Sequence, residues 1–487
     1  MFSGLYDPAK NYANLSGGKW VGASDGETIS VRSPVDGSLV GTIPAMSQKD
    51  ADAVIAQSKQ AQTMWAHTPI YRRAELFYKA AEILEAHTDE IAEILVMEIA
   101  KDRKSAISEV QRSADFLRYT ADMGKSMEGT AVSGENFPGG TQNKISYVTR
   151  KPLGTVLAIA PFNYPVNLSV SKIAPALIGG NTVVLKPPTQ GAISALYLAA
   201  VFAEAGLPGG VFNTITGKGS ELGDYLVQHP DVNFINFTGS TEVGKHIAEV
   251  AGMVPMMMEL GGKDAAVVCA DADLGFAASN IVDGGFSYSG QRCTAVKRIL
   301  VMESVADEFV EKLVRQTKKL KAGDPREEGV TVVPLIHEKA ADYVEELVDD
   351  ALFKGAQVLI GNQREGNLLQ PTLLDHVTVD MRIAWEEPFG PVLPIIRVAD
   401  LDEAIAIANQ SEYGLQSSVF THDINKAFYI ANRLEVGTVQ VNNKTERGPD
   451  HFPFLGVKSS GMGTQGVRYS IEAMTRPKAI VVNLERV

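Results

Sequence analysis

Only two thiols occur in the chain, Cys269 and Cys293, and their surroundings differ sharply. Cys269 sits inside the apolar run AAVVCA, which predicts a buried strand, where a thiol behaves as a small inert hydrophobe. Cys293 lies in FSYSGQRCTAVKR, residues 286–298, after a glycine-bearing turn and between Arg292 and Thr294. A cationic neighbour and a turn rich in backbone N–H groups lower a thiol pKa and enlarge the reactive thiolate fraction, which makes Cys293 the candidate nucleophile. Glu259, in MELGGKD, follows the apolar run Met256–Met258 and precedes a Gly-Gly turn. A carboxyl at the end of a buried strand suits a general base, although most such glutamates are surface or capping residues. Asn163, in APFNYPVN, stands just past the strand-like TVLAIA, and ligands gather at the C-terminal ends of strands in open α/β sheets. Its amide could donate to a developing oxyanion, or it could simply form a turn. None of the eight histidines carries a Cys–His hydrolase signature or an HExxH zinc pattern, so no metal is expected.

The elements that must position these residues can be read from hydrophobic spacing. A turn-rich opening, roughly 16–45, predicts strands, and residues 47–125 carry helical spacing through Leu76, Ala80, Ile83, Leu84, Ile91, Ile94 and Leu95. Gly and Pro break the pattern between Ser133 and Gly140, before the strand-like KISYVTR. From residue 155 short apolar strands alternate with helices: TVLAIA, a helix near 167–178, TVVLKP, the helix GAISALYLAAVFAEAG, VFNTIT, and VNFINFTG feeding a helix near Thr241. A second α/β series follows from about 260, with AAVVCA, VKRILVM, AQVLIG, VLPIIRV, SSVFT and TVQVNN as strands. Such alternation predicts parallel sheets with helices on both faces, in two α/β domains with a projecting hairpin. A net charge of −13 argues against nucleic acid or an anionic membrane as partner. No run of about 18 uncharged apolar residues is present, and the N-terminus lacks the basic-then-apolar layout of a secretory signal. Two cysteines exclude a disulfide scaffold, and a reducing, cytoplasmic location is expected.

PFNYP, LKPPTQ, FTGSTEVG, MELGGK, SGQRC and EEPFGPV occur in the order and spacing of the aldehyde dehydrogenase superfamily, which the chain resembles over nearly its whole length. FNYPVN, LKPPTQG, YSGQRCTAVKR, NNKTERGPDHFPFLG and YSIEAMT resemble the branch that uses NADP and no inorganic phosphate. That resemblance implies oxidation of glyceraldehyde 3-phosphate to free 3-phosphoglycerate. Cys293 would attack the aldehyde, Asn163 and the Cys293 N–H would hold the oxyanion, and Glu259 would activate water to cleave the thioester. NADP would be held at FTGST by Gly239 and Ser240, a helix N-terminus suited to pyrophosphate. Lys186 and Thr189 would take the 2′-phosphate, because a neutral hydroxyl stands where NAD-preferring members would place a repelling glutamate. Glu387 and Phe389 would meet the nicotinamide ribose. Arg112, Tyr164, Arg292, Thr294 and Arg447 would bind the phosphorylated aldehyde. The implied fold is a Rossmann-like cofactor domain (1–131 and 153–258), a catalytic domain (259–460) and a small β oligomerisation arm (132–152 and 461–487), assembled as a homotetramer. A family member acting on a semialdehyde or lactaldehyde, and a structural protein reusing the fold, remain the alternatives.

Overall fold

Four of the apolar runs, TVLAI, TVVLK, FNT and FINFT, are buried at almost every position and pair in parallel. Burial on both faces is what a parallel strand sandwiched between helices requires. A computed structural model describes residue 2 and residues 4–485. In it these strands form a six-stranded sheet, ordered Gly461–Met462, Met256–Glu259, Phe234–Thr238, Thr155–Ile159, Thr182–Lys186, Phe212–Thr214. The wholly buried helix Asn167–Ile178 and the apolar helix Ala192–Glu204 pack against it, and four helices between Gln48 and Ser126 complete the same core. The first of them starts at Ser47, whose hydroxyl accepts from Asp50 N while the Asp50 carboxylate accepts from Ser47 N, so two otherwise orphaned donors are satisfied.

The second α/β series builds a seven-stranded sheet, ordered Gln357–Ile360, Thr372–Asp375, Val392–Val398, Arg298–Met302, Ala265–Val268, Gln416–Phe420, Thr438–Val441. Only Gln357–Ile360 runs antiparallel to its neighbour. Thr372–Asp375 is absent from the expected strands, its four residues TLLD being too short to show a period. The third sheet is antiparallel and pairs Thr475–Asn483 with Lys144–Pro152 and that strand with Thr130–Ser133. Its composition differs from the expected arm of 132–152 and 461–487. Gly461–Met462 instead extends the six-stranded sheet beside Met258 and Glu259, and helix Val467–Ala473 packs on helices Arg103–Ser126 and Asn167–Ile178. Glycine permits that pairing: Gly461 has φ +149°, and a Cβ there would stand 2.2 Å from the Met258 carbonyl oxygen. Among the described residues no helix is long and apolar enough to cross a membrane.

Candidate active site

Cys293 is delivered by a strained turn. After helix Leu274–Phe286, three successive residues adopt left-handed backbone: Tyr288 (φ 51°), Ser289 (φ 55°) and Gly290 (φ 70°). Two of them carry side chains, and such conformations persist only where the surroundings over-determine them. Here the Tyr288 hydroxyl donates to the Ile99 carbonyl at 2.9 Å, and Ser289 Oγ both donates to the Val333 carbonyl at 2.6 Å and accepts from Val333 N at 2.7 Å. The next turn closes with Ala295 N on the Arg292 carbonyl at 3.1 Å. The thiol that results lies 3.6 Å from Glu259 Oε1.

Its electrostatics differ from the expectation. Burial pushes the Cys293 thiol well above the ordinary range, the Glu259 carboxylate pushes it further, and the nearby Lys297 ammonium only partly opposes them. The Arg292 guanidinium, expected to act on the sulfur, is engaged instead by the Gly284 carbonyl. A raised pKa means that thiolate accumulates only as pH rises through the alkaline range. Iodoacetamide alkylation of Cys293 without added cofactor should therefore accelerate with pH and show no plateau below about pH 8.5, the value of a free cysteine. A plateau near neutrality would contradict this electrostatic picture.

Glu259 closes the strand Met256–Glu259, whose register sets it directly beside Thr238. Its Oε2 accepts from Arg447 Nη1 at 2.9 Å and from the Thr238 hydroxyl at 3.3 Å. That hydroxyl in turn accepts from Lys172 Nζ at 2.6 Å. Burial lowers Lys172 to about 7, against the upward pull of the Glu259 carboxylate. Asn163 follows the strand Thr155–Ile159 and donates its amide to the Gln291 carbonyl at 2.9 Å, while its Oδ1 meets no partner among the described residues. Asn163, Cys293, Gly239, Ser240, Glu387 and Phe389 line one cavity of about 550 Å³.

The wall of that cavity at Gly239 and Ser240 suits the pyrophosphate of a dinucleotide. Ser240 caps helix Thr241–Val250 through Val243 N, leaving its N-terminal amides at the cavity wall. A Cβ on Gly239 would stand 2.5 Å from the Phe237 ring, which would have to shift to admit a larger residue. Lys186 and Thr189 do not line this cavity, although Pro188 and Gln190 between and beside them do. Lys186 ends its strand with its ammonium buried, in a single long contact of 3.4 Å to the Pro187 carbonyl, and burial lowers it to about 8. An ammonium held this poorly would be stabilised by a phosphate. The Thr189 hydroxyl, neutral, sits 3.5 Å from the Gly217 carbonyl. Glu387 is anchored by Lys297 Nζ at 3.0 Å and by Gly262 N at 3.2 Å. Phe389 holds φ 45° with its ring edge-on to Phe162, centroids 6.0 Å apart.

The residues assigned to the aldehyde are brought together only in part. Arg112 and Tyr164 share a second cavity of about 340 Å³ with Lys104 and Lys444. Arg112 grips Asp450 with two N–H groups, Nη2–Oδ1 at 2.7 Å, and also donates to the Arg447 carbonyl at 2.8 Å. Arg447 joins this side to Glu259 but lines a separate cavity of about 300 Å³. Arg292 and Thr294 are buried and line none of these three cavities. Thr294 offers its carbonyl to the Thr445 hydroxyl at 2.9 Å. Several residues of the site escape a reading of the sequence. Lys172 has a signal, a lone charge in the apolar helix NLSVSKIAPALI; Thr238, Lys297 and Asp450 lie inside FTGST, YSGQRCTAVKR and NNKTERGPDHFPFLG, which do not single them out.

Residues 20–480 match the aldehyde dehydrogenase family. The chain belongs to that family. It is 56% identical over 477 residues to the NADP-dependent glyceraldehyde-3-phosphate dehydrogenase of Streptococcus equinus, covering 98% of this chain and 100% of that one. The wheat (Triticum aestivum) enzyme of the same name is 52% identical over 475 residues, covering 97% and 95%. Among solved structures, the NADP-dependent glyceraldehyde-3-phosphate dehydrogenase of Bacillus halodurans C-125 complexed with NADP superposes with a TM-score of 0.96 at 52% identity, covering 98% of this chain and 100% of the other.

Proposed function

We propose that the chain is an NADP-dependent aldehyde dehydrogenase that oxidises glyceraldehyde 3-phosphate to free 3-phosphoglycerate, through a thioester on Cys293 cleaved by water. The relatives above support the substrate and the cofactor. The observation that carries the reading is one connected line of charge: Arg112 to Asp450 and to the Arg447 carbonyl, Arg447 to Glu259, and Glu259 to the thiol. Arginine forks match phosphate oxygens in a way that an apolar aldehyde would not need.

In this reading Cys293, once deprotonated to the thiolate, bonds to the aldehyde carbon, and the carbonyl oxygen becomes an oxyanion facing the Asn163 amide and the Cys293 N–H. Bound NADP supplies the hydride acceptor. As the C=O bond re-forms, the aldehyde C–H bond breaks, its hydride would pass to that acceptor, and a thioester is left on Cys293. Glu259 takes a proton from water, the water oxygen attacks the acyl carbon, and the C–S bond breaks to release the acid and free Cys293. Gly239 and Ser240 hold the pyrophosphate, Lys186 and Thr189 the 2′-phosphate, and Glu387 with Phe389 the nicotinamide ribose. Arg112, Tyr164, Arg292, Thr294 and Arg447 form the substrate side, with Arg292 turning in from the Gly284 carbonyl to use its Nε.

The six-stranded sheet serves as the cofactor domain and the seven-stranded sheet as the catalytic domain. The three-stranded sheet exposes Val132, Tyr147, Ile480 and Val481 and is the surface through which four copies assemble in the cytoplasm. Thr189→Glu should place a carboxylate against the 2′-phosphate and shift the NADP-to-NAD ratio of kcat/KM towards NAD by about 10- to 100-fold, as expected for like charges in contact. Steady-state kinetics with both cofactors checks it, and an unchanged ratio would remove Thr189 from the phosphate site. The function itself is tested by specificity constants for glyceraldehyde 3-phosphate and unphosphorylated glyceraldehyde, assayed without inorganic phosphate. A preference for the phosphorylated aldehyde by about 100-fold or more is expected from charge-assisted contacts of this kind. Equal constants would overturn the substrate assignment.

A further inference from the structure

We infer that Lys101, with its partner Glu109, is a positioning residue that sets the oxyanion donor and the substrate wall in one geometry. This rests on the roles given to Asn163 and Tyr164 above. Both side chains of the pair are wholly buried. The Lys101 ammonium has three N–H directions, and all three are used. One goes to Glu109 Oε2, one to the Asn163 carbonyl at 2.7 Å, and one meets the face of the Tyr164 ring 3.5 Å from its centroid. The other oxygen of Glu109 accepts from Val166 N at 2.9 Å and Asn167 N at 3.0 Å, at the start of helix Asn167–Ile178.

A single ion pair thus clamps the loop from Asn163 to Asn167 at both ends. It also reaches the nucleophile's side. The same ammonium stands 4.8 Å from the Tyr288 ring centroid, and the Tyr288 hydroxyl is bonded to Ile99, two residues before Lys101. Tyr288 opens the left-handed turn that delivers Cys293. Two apolar residues of similar volume would fill this space with far less desolvation cost. What they could not do is hold a carbonyl, a ring face and two helix-end amides at fixed positions around one point. The pair therefore acts on the reaction through Asn163, Tyr164 and the turn before Cys293.

The test uses the full-length enzyme with NADP and compares wild type, Lys101→Arg, and the double variant Lys101→Met/Glu109→Gln. The double variant leaves no unpaired buried charge, and the amide oxygen of the introduced glutamine still offers an acceptor to Val166 N and Asn167 N. Its rate constant for the first-turnover burst of NADPH should fall on the order of 10- to 100-fold, the cost of a misplaced reacting geometry, and KM for the triose phosphate should rise. Its Kd for NADP, read by fluorescence titration, should stay at the wild-type value. Lys101→Arg, which keeps the charge and donors, should recover part of the burst rate. A burst at the wild-type rate in the double variant would overturn the inference. So would a loss of NADP affinity in proportion to the burst, because that would mark general loosening rather than positioning. The substrate reading fails separately, if wild type shows no preference for the phosphorylated aldehyde. The burst with either aldehyde would still report on Lys101.

Discussion

Cys293→Ser is expected to lower NADPH formation by roughly 10⁴-fold or more, the scale seen when a covalent nucleophile is removed. The substitution is close to isosteric, and the sulfur's hydrogen-bonding contact in the structure is the 3.6 Å approach to Glu259, so fold and NADP binding should persist. A hydroxyl is a far weaker nucleophile than a thiol unless a base stands ready to take its proton. The carboxylate at hand, Glu259, is tied to Arg447 and Thr238 through its other oxygen. Cys269 offers no replacement: it is buried behind the strand Ala265–Val268, with its thiol pushed up to about 12 by that burial. Spectrophotometric turnover, with the NADP Kd as a folding control, decides the matter. Several per cent of wild-type activity in the serine variant would remove Cys293 from the nucleophile's role.

Glu259→Ala and Glu259→Gln should separate the two halves of the cycle. Acylation needs the thiol and the oxyanion donors, and removing the carboxylate takes away the charge that does most to raise the Cys293 pKa after burial. A first burst near one NADPH per site is therefore expected in both variants. Steady turnover should then fall by about 10²- to 10⁴-fold, the range for loss of a general base. The glutamine form keeps an oxygen for Arg447, which the alanine form does not, and Arg447 would otherwise be left with Gln465 at 2.7 Å and Asp450 at 3.6 Å. If only the alanine variant slowed, the carboxylate would be holding Arg447 in place rather than activating water.

The places where strands end are legible in the sequence because they are local. Asn163, Lys186, Ser240 and Glu259 each follow an apolar run whose length and flanking turn are written in a few adjacent residues. Parallel pairing then gathers those ends at one edge of the six-stranded sheet. The approach of Cys293 to Glu259 is not legible from spacing, since it depends on Tyr288 and Ser289 adopting left-handed backbone, and neither residue type announces that. The direction of Arg292 departs from expectation for a related reason: adjacency to Cys293 in the chain says nothing about where a long side chain turns, and this one finds the Gly284 carbonyl. Gly461–Met462 falls in the arm that the resemblance implies, and its glycine-rich stretch shows no period to correct that, although its glycine is what allows it to sit against Met258. Nothing in the local sequence sets Asp450, Lys101 and Glu109 apart from other charged residues, and only the tertiary fold shows them turned inward.

The thioester on Cys293 is most directly tested by trapping it. The Glu259→Ala enzyme, mixed with NADP and glyceraldehyde 3-phosphate and quenched in acid after the burst, would be digested and its peptides weighed. A gain of one 3-phosphoglyceroyl group on the peptide bearing Cys293, removable by hydroxylamine and matching the NADPH formed, is the expected result. NADPH formed with no adduct, or with the adduct on the peptide bearing Cys269, would contradict it.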